Sequence, residues 1–358
     1  MSGRAASAAR RTRTVVAHAG LAAAAAAAIA IAQGCGGGRT SSVQATRSVP
    51  VPTPAAAGKV HCTVLARSSG DVSRLVRNAG PGTTLCLRAG ITFREDVTIR
   101  RSGTRSAPIV LTSSPGPPAR LLGRLVVAQS ASNVIVRRLV LDGRNERGLP
   151  SPTVTGTRIT FLRDDITNRR TGICMVVGSG GFGTAVDVTI RANRIHDCGQ
   201  RPATNLQHGI YVASSRRLRI IGNLIYDNAD RGIQLYPDAQ DTLIERNVID
   251  RNGVGVLFSG DDGVASDGNL VRHNIITNSR DRHDVEAFWP AANPIGHDNV
   301  VSGNCIGGGR LGALGVQQGF VAEDNRIGTV SYLDGTQFAL EARDPCADFL
   351  PPPPVGPR

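Results

Sequence analysis

Two interleaved repeats, and the lack of helical periodicity beyond one short segment, predict an all-β fold: a parallel β-helix, a solenoid with three short strands per coil and about ten coils. The first repeat is an asparagine with an aliphatic residue or alanine three positions before it and isoleucine two after. It falls at Asn193, Asn223, Asn247, Asn274, Asn304 and Asn325, at spacings of 30, 24, 27, 30 and 21 residues. Asp164 fills the same slot in ITFLRDDITN. The second repeat is Gly-Ile or Gly-Val at Gly172, Gly209, Gly232 and Gly255, each followed by an alternation that puts Met175, Val212, Leu235 and Phe258 on one side. A strand of three residues cannot bury an apolar face alone. Coils stacked ~4.8 Å apart let every strand pair with the coils above and below, and successive inward side chains then form one core.

The remaining elements follow in order. Asp71 is placed to cap a short helix with Val72, Leu75 and Val76 on one face and Gly80 as its stop, and that helix would cover the open first coil. Strand signals come next at Val97–Ile99, Ile109–Leu111, Leu121–Leu122, Val134–Val136 and Leu139–Leu141. At the repeat itself, asparagine tolerates the left-handed backbone of a sharp corner and can bond to the asparagine one coil away. The four repeat glycines are expected to mark a second tight corner.

The ends read differently. Arg4, Arg10, Arg11 and Arg13 precede an apolar, alanine-rich run from Val15 to Ala32, the pattern of an export signal over 1–35. Gly34 before Cys35, with glycines after it, suits lipidation of Cys35, although such sites usually carry leucine where Ala32 stands. Ordinary secretion is the alternative, and an uncleaved anchor fits less well because alanine is weakly apolar. Residues 36–60 read as a flexible linker, 61–347 as the β-helix domain and 348–358 as a disordered proline-rich tail. The expected location is extracellular, at the cell surface or secreted. Six further cysteines allow fifteen pairings. Pairing sequence neighbours would give Cys62–Cys86, Cys174–Cys198 and Cys305–Cys346, and free buried thiols are the alternative. The formal charge is +13, carried by forty arginines and Lys59 alone. In an exported monomer such charge suits an acidic polysaccharide or cell-wall polymer, with membrane contact only through a lipid. Scattered arginines without a nucleic-acid motif argue against nucleic acid. No cofactor is implied. The absence of Cys-x-x-Cys, and of joint spacing among His61, His273, His283 and His297, argues against a metal site.

The run NLIYDNADRGIQLYPDAQDTLIERNVIDRNG resembles the right-handed parallel β-helix repeats of the pectate-lyase-like superfamily. PGTTLCLRAGITF and SGTRSAPIVLTSSPG resemble the opening coils of its chondroitinase and alginate lyases. The resemblance covers roughly residues 62–330 and implies a secreted protein acting on uronate-rich polysaccharide. The chain departs from each well-described mechanism. Lys59 lies outside the repeats, so a lysine base is missing. The segments Arg-x-Pro-x-x-Arg, Asn-Thr-Asp, Gly-His-Gly, Arg-Ile-Lys and Asp-Pro-His are absent.

In such a fold ligands lie on an outward sheet face walled by loops. The strand after each repeat glycine offers Cys174, Val176, Tyr211, Ala213, Gln234, Tyr236, Leu257 and Ser259 outward, with His208 and Arg231 at its corner. Asp238, Asp261 and Asp262 are expected in loops beyond, and Glu286 and Phe288 on the same face. Long segments at 177–187, 198–207 and 259–268 would form walls. Lyase or epimerase chemistry needs a base beside a uronate carboxyl and a group to stabilise the anion. His208 or Tyr211 would be the base and Arg231 the neutralising cation, while Gln234, Tyr236, Asp238 and Glu286 would bind substrate. The plainer readings are a corner histidine bonded to backbone, surface aromatics and a solvated arginine. His196, Tyr226 and Asp250 share outward positions on another face, most simply a solvated one. Two functions follow: a lyase or epimerase on an acidic polysaccharide, or a non-catalytic glycan-binding or structural surface protein.

Overall fold

The structure, a computed structural model, describes residues 61–328 and, after them, 331–332, 338–339 and 346. The expected export signal, linker and tail, and Cys35 with them, lie outside these residues. The described chain is a parallel β-helix. One face is a ten-stranded parallel sheet from Thr92–Arg94 to Arg326–Ile327, so about nine turns separate its first and last strands. The other two faces join into a 22-stranded sheet. They join because strands such as Ile210–Arg216 and Arg231–Gln240 turn the corner without leaving the ladder.

Register follows the repeat. Met175, Ile210, Ile233, Val256 and Val285 stack inward on one face. Ile166, Ile195, Ile225, Ile249, Ile276 and Ile306 do so on the ten-stranded sheet, and all are fully buried. The six asparagines form one ladder. The Asn223 N–H donates to Asn247 Oδ1 at 2.8 Å, Asn247 to Asn274 at 2.9 Å and Asn274 to Asn304 at 2.9 Å. Each side-chain nitrogen caps a carbonyl of the neighbouring coil, as Asn247 Nδ2 does for Ile220 at 2.9 Å. Asp164 begins the ladder, its Oδ1 accepting from the Leu139 N–H. Complete burial pushes its carboxyl well above the usual range, so a neutral acid stands in for the amide.

The corners differ from expectation in three ways. The ladder asparagines are not left-handed; the residue before each one is, from Arg163 and Ala192 to Asp324, at φ between 53° and 61°. Arginine and alanine accept this strain because the buried ladder fixes the turn. Gly172, Gly209, Gly232 and Gly255 are not left-handed either. Instead the coils approach closely there: a Cβ on Gly209 would lie 2.8 Å from both Asn228 Nδ2 and the Gly232 carbonyl. Finally, two shorter ladders occupy other corners, Asn228 on Asn252 and Asn269 on Asn299.

The helix spans Asp71–Asn78 and buries Val72 and Val76. Asp71 does not cap it. Its carboxylate accepts from the N–H groups of Arg67 and Ser68, while Glu95 of the next coil accepts from those of Gly70, Val72 and Ser73. The cap therefore also ties the helix to the first coil. Disulfides join Cys62 to Cys86, Cys174 to Cys198 and Cys305 to Cys346, with Cα–Cα distances of 5.6, 5.4 and 5.7 Å.

Candidate functional site

On the outward side of the strands that follow the repeat glycines, Val176, Tyr211, Gln234, Leu257 and Glu286 stack in register, one per coil. Beside Tyr236 the register slips between Val212 and Ser214, so that Asp238 comes opposite Ser214. The slip carries Tyr236 over Tyr211, ring centroids 6.2 Å apart and planes within 22°. The stack continues to His208, 5.6 Å from Tyr211 and tilted by 59°.

Tyr211, with Tyr236 stacked on it, opens onto a groove of about 450 Å3 lined by Val176, Tyr211, Ala213, Pro237, Asp238 and the walls. One wall is the turn at Ser179 and Gly180, the other Val264. Gly178 opens the first wall at φ 71°, tight against the Ser214 carbonyl. Two aromatics on the neighbouring surface, Phe182 in the first wall and Phe288 opposite Ser259, are exposed.

The polar atoms divide into spent and unspent. Asp238, at the end of a strand rather than in a loop, takes both Arg216 Nη1 and Nη2, at 3.0 and 3.1 Å. Asp261 accepts the Tyr236 hydroxyl at 2.5 Å and Asn293 Nδ2 at 2.9 Å. Burial and the Asp261 carboxylate hold the Tyr236 phenol above its usual range, and burial raises that of Tyr211 as well. Glu286 is buried and engaged by Arg282 Nε at 2.9 Å and His283 Nδ1 at 3.2 Å. Arg231 donates through Nη1 to the Asn205 carbonyl at 2.9 Å, yet its Nε and the Oδ-like acceptor Oε1 of Gln234 are buried without a partner.

His208 lies in the same place, deep in the wall of the solenoid. It is 3% exposed, and its Nδ1 accepts the Arg231 N–H at 3.5 Å. Burial, then repulsion from the Arg231 guanidinium, keeps the imidazole neutral well below its usual range. With Nδ1 an acceptor, the proton sits on Nε2. Thus His208, Tyr211 and Arg231 do meet, with Gln234, Tyr236 and Asp238 beside them, whereas Glu286 is closed off by its own ion pairs.

Several outward positions are not open. Cys174 is fully buried in its disulfide. Val176, Ala213, Leu257 and Ser259 are also buried, because neighbouring coils and walls cover short side chains. The second face departs further from a solvated one. Tyr226 is 3% exposed and Asp250 is fully buried, and His196 stacks on Tyr226 at 5.0 Å. Sequence reasoning missed the two acids that hold that histidine, Asp165 and Asp197, and the neighbouring group in which Arg120 and Arg169 pair with Asp142. The signal was present, since Asp165 and Arg194 stand one position after their ladder residues in successive coils.

Among solved structures, an alginate lyase from Paenibacillus sp. str. FPU-7 is similar over 71% of this chain and 98% of its own, at 18% identity and a TM-score of 0.51. Pectate lyase Pel9A matches over 75% of this chain and 78% of its own, at 15% identity and a TM-score of 0.49. The Dettilon tailspike protein gp208 matches over 72% and 63%, at 13% and 0.42. At such identities the likeness is one of fold. No curated protein matches the chain. The family model described as the right handed beta helix region matches residues 126–308, half of the chain. The protein belongs to the right-handed β-helix family.

Proposed function

We propose that this protein is an extracellular β-helix that binds an acidic polysaccharide along the tyrosine groove without cleaving it. The observation that carries this reading is the stacked Tyr211–Tyr236 pair at the edge of a walled groove. Ring faces of this kind receive the C–H face of a sugar. Asp238 and Asp261 are spent within the protein, on Arg216 and on Tyr236 with Asn293, while the half-buried Arg231 and Gln234 beside the tyrosines suit a uronate carboxylate and a hydroxyl. A fold-level likeness to an alginate lyase supports a polysaccharide as ligand.

Binding is favoured over catalysis by the state of the two candidate bases. Tyr211 is held protonated, and His208 spends its only lone pair on a backbone N–H. Neither has a vacant basic atom for the proton beside a uronate carboxyl. The chain is exported, its 61–347 domain held on the 36–60 linker from a lipid on Cys35. Three disulfides suit an oxidising compartment.

The test is calorimetric titration of the full-length protein with oligomers of pectate and alginate, beside Tyr211→Ala and Tyr236→Ala. Saturable binding that each substitution weakens at least tenfold is expected, with no gain in unsaturated-uronate absorbance. No binding at low salt removes the reading, and a growing absorbance replaces it with lyase action.

A further inference from the structure

The ten-stranded sheet carries a second constellation that the tyrosine groove does not use. Arg120, Val140, Asp165 and Arg194 stack outward in register over four coils. Beside them Asp142 is fully buried and accepts from both Arg120 Nη1 and Arg169 Nε, each at 2.9 Å. His196 lies between Asp165 and Asp197, with Nε2 and Nδ1 each 2.9 Å from a carboxylate oxygen. Arg194 donates to the Tyr226 hydroxyl at 2.8 Å, and Arg170 pairs with Asp197 at 2.5 Å. Arg120, Asp165, Arg169, Arg170, His196 and Asp197 line a groove of about 510 Å3, with Val140 and Thr167 beside them.

The charges do not cancel. Arg120, Arg169, Arg170, Arg194 and an imidazolium at His196 sit among Asp142, Asp165 and Asp197, with Arg201 and Asp227 also acting on Arg170. Burial opposes the charge on His196, but the bonds to Asp165 and Asp197 outweigh it and raise its pKa to about 9. One buried carboxylate thus anchors two arginines, and the group keeps an excess of positive charge. Arg120, Arg169 and Arg170 each commit one nitrogen to a carboxylate, and Arg170 Nη1 is buried without a partner. A buried donor left in that condition is unfavourable, and an anion that reached it would supply the missing acceptor. Guanidinium forks match a planar carboxylate in two-point contact. The space is much larger than one oxyanion, and Val140 and Thr167 offer it an apolar and a hydroxyl contact.

We infer that this groove is a second carbohydrate subsite, on a different sheet from the tyrosine pair, in which Arg120, Arg169 and Arg170 take the carboxylate of a uronate residue. The inference rests on the reading of an acidic polysaccharide as ligand but not on the tyrosine groove. Two subsites on different faces would let one molecule hold two segments of polymer, raising avidity without new contacts at either.

The experiment uses the full-length protein and trigalacturonate, with the methyl-esterified trimer as the uncharged control. Arg169→Gln leaves the buried Asp142 paired with Arg120, and Arg170→Gln leaves the half-exposed Asp197 paired with His196, so both variants keep the acid partnered. Arg170→Lys serves as a charge-retaining variant should either glutamine variant melt early. The glutamine variants are expected to bind the free acid at least tenfold more weakly and the ester as wild type does. The lysine variant should fall between. Tyr211→Ala should weaken both ligands, which separates the two grooves. If the arginine variants bind trigalacturonate as wild type does, the subsite is refuted whatever the tyrosine variant does. If inorganic phosphate at equal concentration displaces the trimer fully, the site takes any oxyanion and the uronate assignment is refuted.

Discussion

Replacing Asn247 by alanine tests the ladder at its centre. Asn247 is 1% exposed. Its Oδ1 accepts from the Asn223 N–H at 2.8 Å and Asn223 Nδ2 at 2.9 Å, and its Nδ2 donates to the Ile220 carbonyl and to Asn274 Oδ1, both at 2.9 Å. The Asn223 amide keeps its bond to the Ile190 carbonyl after the change, so it is not orphaned. The Asn223 N–H and the Ile220 carbonyl each lose this partner in a dry corner. At roughly 1–3 kcal/mol for each buried orphan, the expected cost is about 2–6 kcal/mol. The left-handed Arg246 before it, at φ 55°, loses the bonds that hold its strain, which adds to the cost. Asn325→Ala is the control. That residue makes the same kind of bonds, to Asn304 and the Val301 carbonyl, but is only half-buried, so water can replace them at under ~1 kcal/mol. Guanidinium unfolding with disulfides intact gives both values. Far-UV dichroism reads the whole solenoid, and the fluorescence of the single tryptophan, Trp289, reads the later coils. If Asn247→Ala falls within ~0.5 kcal/mol of wild type, or costs no more than Asn325→Ala, the ladder is ornament and the reasoning fails.

Two pH windows follow from the buried groups. His196 has its folded pKa raised to about 9, so its contribution is whole below the unfolded value of 6.5 and is lost as pH rises through about 9. The gap is worth up to ~3 kcal/mol, and thermal unfolding should weaken over that window in wild type but not in His196→Gln. Asp250 and Asp284 are raised by burial to about 6 and about 7, so their contribution is whole below the ordinary carboxyl pKa and lost as pH rises through those values. Replacing both with asparagine should flatten stability across that lower window, and an unchanged slope there would contradict the assignment. Gly178→Ala should destabilise by about 1–3 kcal/mol, because its Cβ meets the Ser214 carbonyl and its φ of 71° suits glycine. Since Gly178 opens a wall of the tyrosine groove, the same change should weaken pectate binding; a melting curve and affinity equal to wild type would show that the wall does not depend on it.

The groove residues were legible only as a column. Gln234 lies three residues after Arg231 and one coil above Tyr211, so their proximity could be read from the repeat. Their exposure could not. Val176 and Leu257 share the column yet are buried, and Glu286 is sealed by Arg282 and His283 from its own loop. Coverage depends on how irregular loops fold back, and no periodicity governs them. The tautomer of His208 depends on one backbone N–H a coil away.

By itself the sequence determined the solenoid, its register and the buried column of isoleucines. Those follow from local spacing, since a fixed number of residues per coil makes sequence neighbours at that distance into spatial ones. It also carried the shorter ladders, with Asn228 and Asn252 separated by the same 24 residues as Asn223 and Asn247. Only the tertiary structure decided which backbone positions turn left-handed, that Glu95 and not Asp71 caps the helix, and that Arg120, Arg169, Arg170 and His196 gather around Asp142, Asp165 and Asp197 on the ten-stranded sheet. Each of these is a competition between side chains for a place in space, settled by burial and charge among residues that no single period relates.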